Sequence, residues 1–373
     1  MKIINVIQRF NVGGIQKLLL EYLRFFKNNN EIDYRVVVLE KNEGSLYDKI
    51  CEEEGLKIEY LNCYFSKNKH YYIRTFHRWW TFNHSLTKYL KKQKPDVVHT
   101  HNTRMLYLIE SCIKKTKSKY KWFHTLHSDP FAVDDKHIPV AKRVFDEYGV
   151  TPICLNSTQF EKANKRYDIK KCTLVYNAIN FANLKNNIIN KWDFKKSLGI
   201  DDDSFIIGSV GRVDPIKNYD FFIDVIKETL SINPKTIGMI VGDDTGASVL
   251  KEKIKRIGIE NNIIFTGPRN DVGNFYNIFD RFLLTSKSES SSLVALEAQC
   301  FNLQSIFSLA IPQESICLKD RIILLDLQIG AKEWAKSIVA PQNFAAPKTK
   351  LDDYNINNTS TKLLKIYNSN SFK

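Results

Sequence analysis

Two glutamates eight residues apart, Glu289 and Glu297, stand in the run Thr285-Ser-Lys-Ser-Glu-Ser-Ser-Ser-Leu-Val-Ala-Leu-Glu-Ala298, directly after an apolar stretch at 281–285. If that stretch is a buried strand and Ser292 caps a helix running to about Cys300, Glu289 lies on the loop at the strand's C-terminal end and Glu297 lies inside the helix. That edge is where open α/β sheets bind ligands. The amides at the helix start, near Ser292, Leu293 and Val294, form a site for a phosphate. Carboxylates on either side of it can accept hydrogen bonds from a sugar and from a ribose flanking a diphosphate, which is the layout of a nucleotide sugar. The same residues also fit a plainer reading, two solvated glutamates on a helix face.

Four further sites fall at the ends of expected strands. In Gly208-Ser-Val-Gly-Arg-Val-Asp-Pro-Ile-Lys-Asn218, Arg212 and Lys217 stand on a strand-to-helix loop where they can neutralise a diphosphate, Arg as a fork and Lys as a point charge. Asn11-Val-Gly-Gly14 precedes the helical run Leu18-Leu-Leu-Glu-Tyr-Leu23, and Gly13 and Gly14 let backbone approach a ligand. Val241-Gly-Asp-Asp-Thr-Gly246 and Phe265-Thr-Gly-Pro-Arg-Asn-Asp271 follow the next strands, and the aspartates Asp243 and Asp244 fit ordinary βα turns. Finally, His99-Thr-His101-Asn102 and His124-Thr-Leu-His127 end two successive strands. Parallel neighbours could gather these histidines around a metal, but alternate positions face opposite ways and no acidic ligand recurs with them, so no metal is expected.

These sites require a particular scaffold. Short Val- and Ile-rich runs alternate with longer helical patterns from end to end, which argues for parallel sheets built from βαβ units. The expected strands are 2–7, 34–39, 57–61, 96–100, 121–126, 152–155 and 173–176, then 205–210, 237–241, 262–266, 281–285, 304–307 and 322–325. An Asn- and Lys-rich stretch separates the two sets. The chain therefore reads as α/β: an N-terminal Rossmann-like domain over 1–180, a linker over 181–203, a C-terminal Rossmann-like domain over 204–350, and a terminal helix and tail over 351–373 packing back toward the first domain. The tip beyond 367 is expected to fray.

The 373 residues suffice for two cores, and no run of eighteen apolar residues suggests a membrane span. The apolar part of the first eight residues is too short for a signal peptide, and seven scattered cysteines imply neither a disulfide framework nor a zinc site. A cytoplasmic protein is expected. Its net charge of +14 is concentrated between Leu61 and Thr125, where fourteen basic residues stand against only Asp96 and Glu110. Within that segment Tyr72, Ile73, Phe76, Trp79, Trp80, Leu86, Tyr89 and Leu90 recur at helical spacing, and Arg74, Arg78, Lys88 and Lys92 share another face. Such a helix fits core packing with a solvated outer face, contact with anionic lipid headgroups, or binding to a nucleic-acid strand.

Together these segments resemble the retaining GT-B glycosyltransferases of glycosyltransferase family 4, particularly those building capsular and exopolysaccharide. The family's E-x7-E element resembles Glu289 through Glu297-Ala298, its G-R-x-x-x-x-K-N loop resembles Gly211-Arg212 through Lys217-Asn218, its G-G loop resembles Gly13-Gly14, and its N-G-I-D element resembles Asn177-Ala-Ile-Asn180. The resemblance implies two Rossmann-like doubly wound domains facing each other across a cleft. It implies that Arg212, Lys217, Gly14 and the helix start hold the donor diphosphate, Glu297 the ribose, and Gly267, Pro268, Arg269 and Asn270 the base, while Glu289 and His127 are the catalytic residues at the donor sugar, Glu289 as a nucleophile or as a partner of its hydroxyls. Gly13, His101 and Asn102 would face the acceptor. No cofactor or metal is implied, since basic side chains and helix N-termini take up the charge of the leaving diphosphate.

The departures are specific. Ser290 and Ser291 replace the family's glycine and bulky residue, Asn302 replaces a glycine after the helix, Ile15 and Gln16 replace alanine and glutamate, and Asp244 replaces the last glycine of a G-D-G turn. The expected activity is transfer of a sugar from a nucleotide-diphosphate donor, a UDP-sugar, to a hydroxyl of a lipid-linked glycan with retention. The basic domain would rest on the inner membrane face, and no nucleic-acid partner is expected. Two rivals use the same features: a nucleotide-sugar epimerase of GT-B fold, and a non-enzymatic basic module for nucleic acid or anionic lipid.

Overall fold

The computed structural model describes residues 1–40, 45–63, 71–169, 172–340 and 351–369, with backbone alone for 71–74. Lys67, Lys69, the side chains of Tyr72, Ile73 and Arg74, and the tail from 370 therefore lie outside the described residues. The chain divides into two compact units, Met1–Ala178 with Ile356–Lys373, and Ile179–Asn355.

The first unit is built on a parallel sheet ordered β3-β2-β1-β4-β5-β6-β7, formed by β1 (Lys2–Ile7), β2 (Asp33–Val38), β3 (Ile58–Tyr60), β4 (Val97–His101), β5 (Lys121–Thr125), β6 (Thr151–Cys154) and β7 (Thr173–Leu174). The second holds a parallel sheet ordered β10-β9-β8-β11-β12-β13, from β8 (Phe205–Val210), β9 (Thr236–Val241), β10 (Ile263–Phe265), β11 (Arg281–Leu284), β12 (Ser305–Ser308) and β13 (Ile322–Leu325). All thirteen expected strands form, with ends displaced by up to two residues. Their near-continuous apolar runs follow from burial on both faces, which parallel sheets covered by helices impose. The helix Gly14–Phe26, for example, buries Leu19, Leu20, Leu23 and Phe26.

Residues 181–203 do not form a free linker but belong to the second unit. Asn180 caps the helix Phe181–Leu184 and Asn190 caps Lys191–Ser197, so the asparagines that give this stretch a linker's composition are helix starts. The second of these helices sets Phe194 edge-on to Phe275 at 5.0 Å. The first lies so close to Gly273 that a Cβ there would meet the Leu184 carbonyl at 2.2 Å. The helix Ile356–Asn368 belongs to the first unit, where Ile356, Leu363 and Tyr367 join the core with Leu19, Tyr22 and Tyr34.

The helix Tyr71–Gln93 divides the apolar residues that its sequence groups together. Phe82, Leu86 and Leu90 are buried, whereas Phe76 and Trp80 are 67% and 52% exposed. Arg78, expected on the outer face, reaches Glu40 at 2.5 Å. Helical spacing grouped these apolar residues without assigning a direction, and Phe82, Leu86 and Leu90, one turn apart, suffice for the packed face.

Candidate active site

In each sheet the strand order reverses at one place, between β1 and β4 in the first and between β8 and β11 in the second. Loops leaving adjacent strands there diverge to opposite faces and open a crevice at the carboxyl ends.

In the second unit that crevice is bounded by the loop after β8, carrying Arg212 and Lys217, and the loop after β11, carrying Glu289. Asp214 shapes the first loop, its Oδ1 accepting from the amides of Ile216 and Lys217 at 3.0 and 3.2 Å. Thr285 fastens the two loops together by donating to the carbonyls of Lys217 and Asn218 at 3.0 and 3.1 Å, and the Lys287 amide donates to the Ile216 carbonyl at 2.7 Å. So held, Lys217 Nζ lies 2.6 Å from Glu289 Oε1, which also accepts from Ser286 Oγ at 2.8 Å. The side chains of Lys217 and Glu289 are only 22% and 11% exposed. Arg212 shares the loop but not the pair. It is 59% exposed and bonds Asp214 at 3.3 Å.

Glu297 lies one helix beyond, in Leu293–Cys300, at 1% exposure. Its Oε2 accepts from the Tyr276 hydroxyl at 2.9 Å. Burial first, then the neighbouring carboxylate, hold the Tyr276 phenol well above its usual pKa, so it stays a neutral donor. Glu297 is thus an interior residue rather than a solvated helix-face glutamate. Tyr276 and Asp214 were not found from the sequence: the tyrosine meets Glu297 only through packing, and an aspartate before a proline is an ordinary turn signal.

The helix start requires a correction. Ser292 occupies the N-cap position without a side-chain capping bond, and its buried hydroxyl has no partner among the described residues. Its amide donates to Ser315 Oγ at 3.3 Å. Of the three amides expected to face an anion, those of Leu293 and Val294 remain, because first-turn amides have no intrahelical acceptor. Ser290 keeps a negative φ, so the loop needs no glycine there, whereas Asn302 is left-handed at φ 58°, as its place after the helix suggested. The turn Gly267, Pro268, Arg269 and Asn270 follows edge strand β10. Gly267 is left-handed at φ 69°, and Arg269 makes two 2.8 Å bonds to Asp271.

In the first unit Gly13 and Gly14 open the helix Gly14–Phe26. A Cβ on Gly14 would meet nothing within 4 Å, while one on Gly13 would meet Gln16 Oε1 at 2.7 Å. Asn102 follows β4 at φ 72° and caps Thr103–Thr116 by accepting from the Arg104 amide. His101, expected to face an acceptor, is instead buried with both ring nitrogens taken. Nδ1 is 3.0 Å from His127 Nε2, and Nε2 is 3.0 Å from Asn5 Oδ1. His99 stacks on it at 4.3 Å, and His124 bonds Thr100 instead. Burial pushes His127 and His99 down to about 3 and His101 and His124 well below their ordinary value, so all four are neutral near pH 7. Among the described residues, no three His, Cys, Asp or Glu side chains group as metal ligands.

Residues 190–313 match the family model described as glycosyl transferases group 1. The second unit carries a group 1 glycosyltransferase domain. It contains Arg212, Lys217, Glu289 and Glu297, and it begins inside the stretch expected as a linker. The whole chain has the GT-B fold. It resembles the crystal structure of Anabaena Alr3699/HepE in complex with UDP and glucose at a TM-score of 0.72 and 18% identity, over 91% of this chain and 89% of that one. Among curated proteins it is 29% identical over 235 residues to the Escherichia coli UDP-Gal:alpha-D-GlcNAc-diphosphoundecaprenol alpha-1,3-galactosyltransferase, spanning 60% of each chain. It is also 24% identical to the Staphylococcus aureus capsular polysaccharide biosynthesis glycosyltransferase CapH over 99% of each chain.

Proposed function

We propose that this chain is a retaining glycosyltransferase of family 4 that moves a sugar from a nucleotide-diphosphate donor, a UDP-sugar, to a hydroxyl of a lipid-linked glycan during assembly of a surface polysaccharide. The observation that carries this reading is the Lys217–Glu289 pair at the strand-order reversal of the group 1 domain. As the bond between sugar and diphosphate breaks, negative charge grows on the leaving phosphate. Lys217, Arg212 and the amides of Leu293 and Val294 stabilise it without a bound metal. Lys217 exchanges its carboxylate partner for phosphate, which frees Glu289 to accept hydrogen bonds from sugar hydroxyls. Glu297, oriented by Tyr276, takes the ribose, and the turn 267–270 lies along the base. Retention follows from front-side attack, in which the acceptor hydroxyl enters beside the departing phosphate and passes its proton to it.

The UDP bound to HepE and the UDP-Gal named for the galactosyltransferase support the choice of base, and the diphosphoundecaprenol in the latter's name supports a lipid-linked acceptor. A thermal-shift panel of UDP-, GDP- and ADP-sugars on the full chain tests the reading. A donor at a hundred times its dissociation constant should stabilise the fold by about 2.7 kcal/mol. No shift with any donor would remove the enzyme reading, and an epimer formed from donor alone, seen by NMR, would replace transfer with epimerisation.

A lipid-linked acceptor places the enzyme on the cytoplasmic face of an anionic membrane. No helix among the described residues is long and apolar enough to cross one. The exposed stripe Phe76, Trp80, His84 and Lys88, at four-residue spacing, offers aromatic side chains for the headgroup layer and a cation for its charge. Replacing Phe76 and Trp80 by serine should weaken binding to vesicles of phosphatidylglycerol, read by co-sedimentation, by roughly a hundredfold or more, since burying two aromatics contributes about 1.5–3 kcal/mol each. Unchanged sedimentation rules this stripe out.

A further inference from the structure

A buried hydrogen-bond chain crosses the ligand edge of the first sheet, from the Arg35 carbonyl through Asn5 and His101 to His127, and its polarity can be read from its fixed end. The Asn5 amide nitrogen donates to the Arg35 carbonyl at 3.4 Å, which turns Oδ1 toward His101. An amide oxygen only accepts, so His101 Nε2 carries the proton of that 3.0 Å bond. A neutral imidazole has one N–H, so His101 Nδ1 is a lone pair and the 3.0 Å bond beyond it is donated by His127 Nε2. His127 Nδ1 is then a lone pair as well, with no hydrogen-bond partner among the described residues. With the tautomer reversed, two lone pairs would face each other across that 3.0 Å, inside a site where Asn5 and His101 are fully buried.

We infer that Asn5 and His101 are positioning residues that fix His127 as its Nε2–H tautomer and present Nδ1 as a hydrogen-bond acceptor to a sugar hydroxyl. The identity of that hydroxyl rests on the proposed glycosyl transfer, whereas the tautomer does not. The relay explains why His101 is buried although it ends a strand at the carboxyl edge of the sheet. Its chemistry is that of a histidine whose far nitrogen is held so that the near one keeps a single role.

Nitrogen-15 NMR of the full chain labelled at histidine tests the inference without turnover, with the His127 signals assigned by their loss in His127→Gln. At pH 7 His127 should show a protonated Nε2 and an unprotonated Nδ1. His101→Leu should convert it to a tautomer mixture and lower kcat by roughly tenfold to hundredfold, the range seen when the partner orienting a functional histidine is removed. His101→Gln, which can accept from His127 and donate to Asn5, should restore the single tautomer and recover part of the turnover. If His101→Leu does not fold, Asn5→Leu carries the test, because the His101 orientation loses its fixed end and the mixture should reappear. A wild-type His127 protonated on Nδ1, or a tautomer unmoved by the leucine variants, overturns the relay. The expected tautomer without turnover of any nucleotide sugar overturns the glycosyl-transfer reading alone.

Discussion

Lys217→Ala is expected to lower kcat for sugar transfer by about 10²–10³-fold, the loss that accompanies removal of one preorganised donor from a site where negative charge develops. The size follows from the surroundings. Lys217 is largely enclosed, its loop is pinned by Thr285 and Asp214, and its ammonium is already aimed into the crevice by the 2.6 Å contact with Glu289. A preorganised charge of this kind needs no rearrangement when the diphosphate leaves. The substitution also strands the Glu289 carboxylate on its bond from Ser286, a defect of about 1–3 kcal/mol in stability. The two effects separate experimentally, because Glu289→Gln relieves the stranded charge without restoring the ammonium. The double variant should therefore regain thermal stability and stay slow. A double variant that turns over like the parent would make Lys217 a structural counter-ion.

Gly242→Ala should cost about 2–4 kcal/mol and weaken donor binding with it, combining a strained φ with an overpacked contact. Gly242 sits at φ 147°, and a Cβ there would stand 2.3 Å from the Gly211 carbonyl oxygen and 2.7 Å from its carbon. Backbone cannot swing aside as the end of a side chain can. The two loops are also tied by bonds from the Gly211 amide to the Val241 carbonyl and from the Val213 amide to the Asp243 carbonyl, at 2.9 and 2.8 Å. Room for the methyl must come from displacing Gly211 and Arg212, the start of the diphosphate loop. Urea unfolding measures the first effect and donor titration the second. Gly258→Ala is the control: it shares a positive φ, at 71°, but has nothing within 4 Å of its Cβ, so only about 1 kcal/mol should be lost and donor affinity kept. Equal losses from both variants would mean that the contact with Gly211 carries no weight.

How much of this was legible in the chain differs residue by residue. Strand positions were readable because a doubly covered parallel strand must be apolar on both faces, which leaves Val- and Ile-rich runs such as 205–210 and 237–241. The extent of the second unit was not readable, since capping asparagines and linker asparagines look alike until the helices Phe181–Leu184 and Lys191–Ser197 are seen packing on Val272–Ile278. The outward turn of Phe76 and Trp80 was likewise hidden, because helical periodicity locates a stripe without saying which of several aromatics the core has room for.

Spacing alone placed Glu289 before a helix and Glu297 within it, and placed Arg212 and Lys217 on one strand-to-helix loop, because local sequence fixes where elements begin and end. It could not say that Lys217 rather than Arg212 would meet Glu289, that Glu297 would be buried against Tyr276, or that the Ser292 amide would be spent on Ser315. Nor could it tell that His101 would be locked between Asn5 and His127. Each of these is a contact between residues that are distant in the chain. The Lys217–Glu289 pair exists because the order β10-β9-β8-β11-β12-β13 sets β8 beside β11, and the His101–Asn5 bond because the order around β1 sets β4 beside it. Strand order is settled by how helices pack across whole sheets, a sum of long-range contacts that no local pattern records.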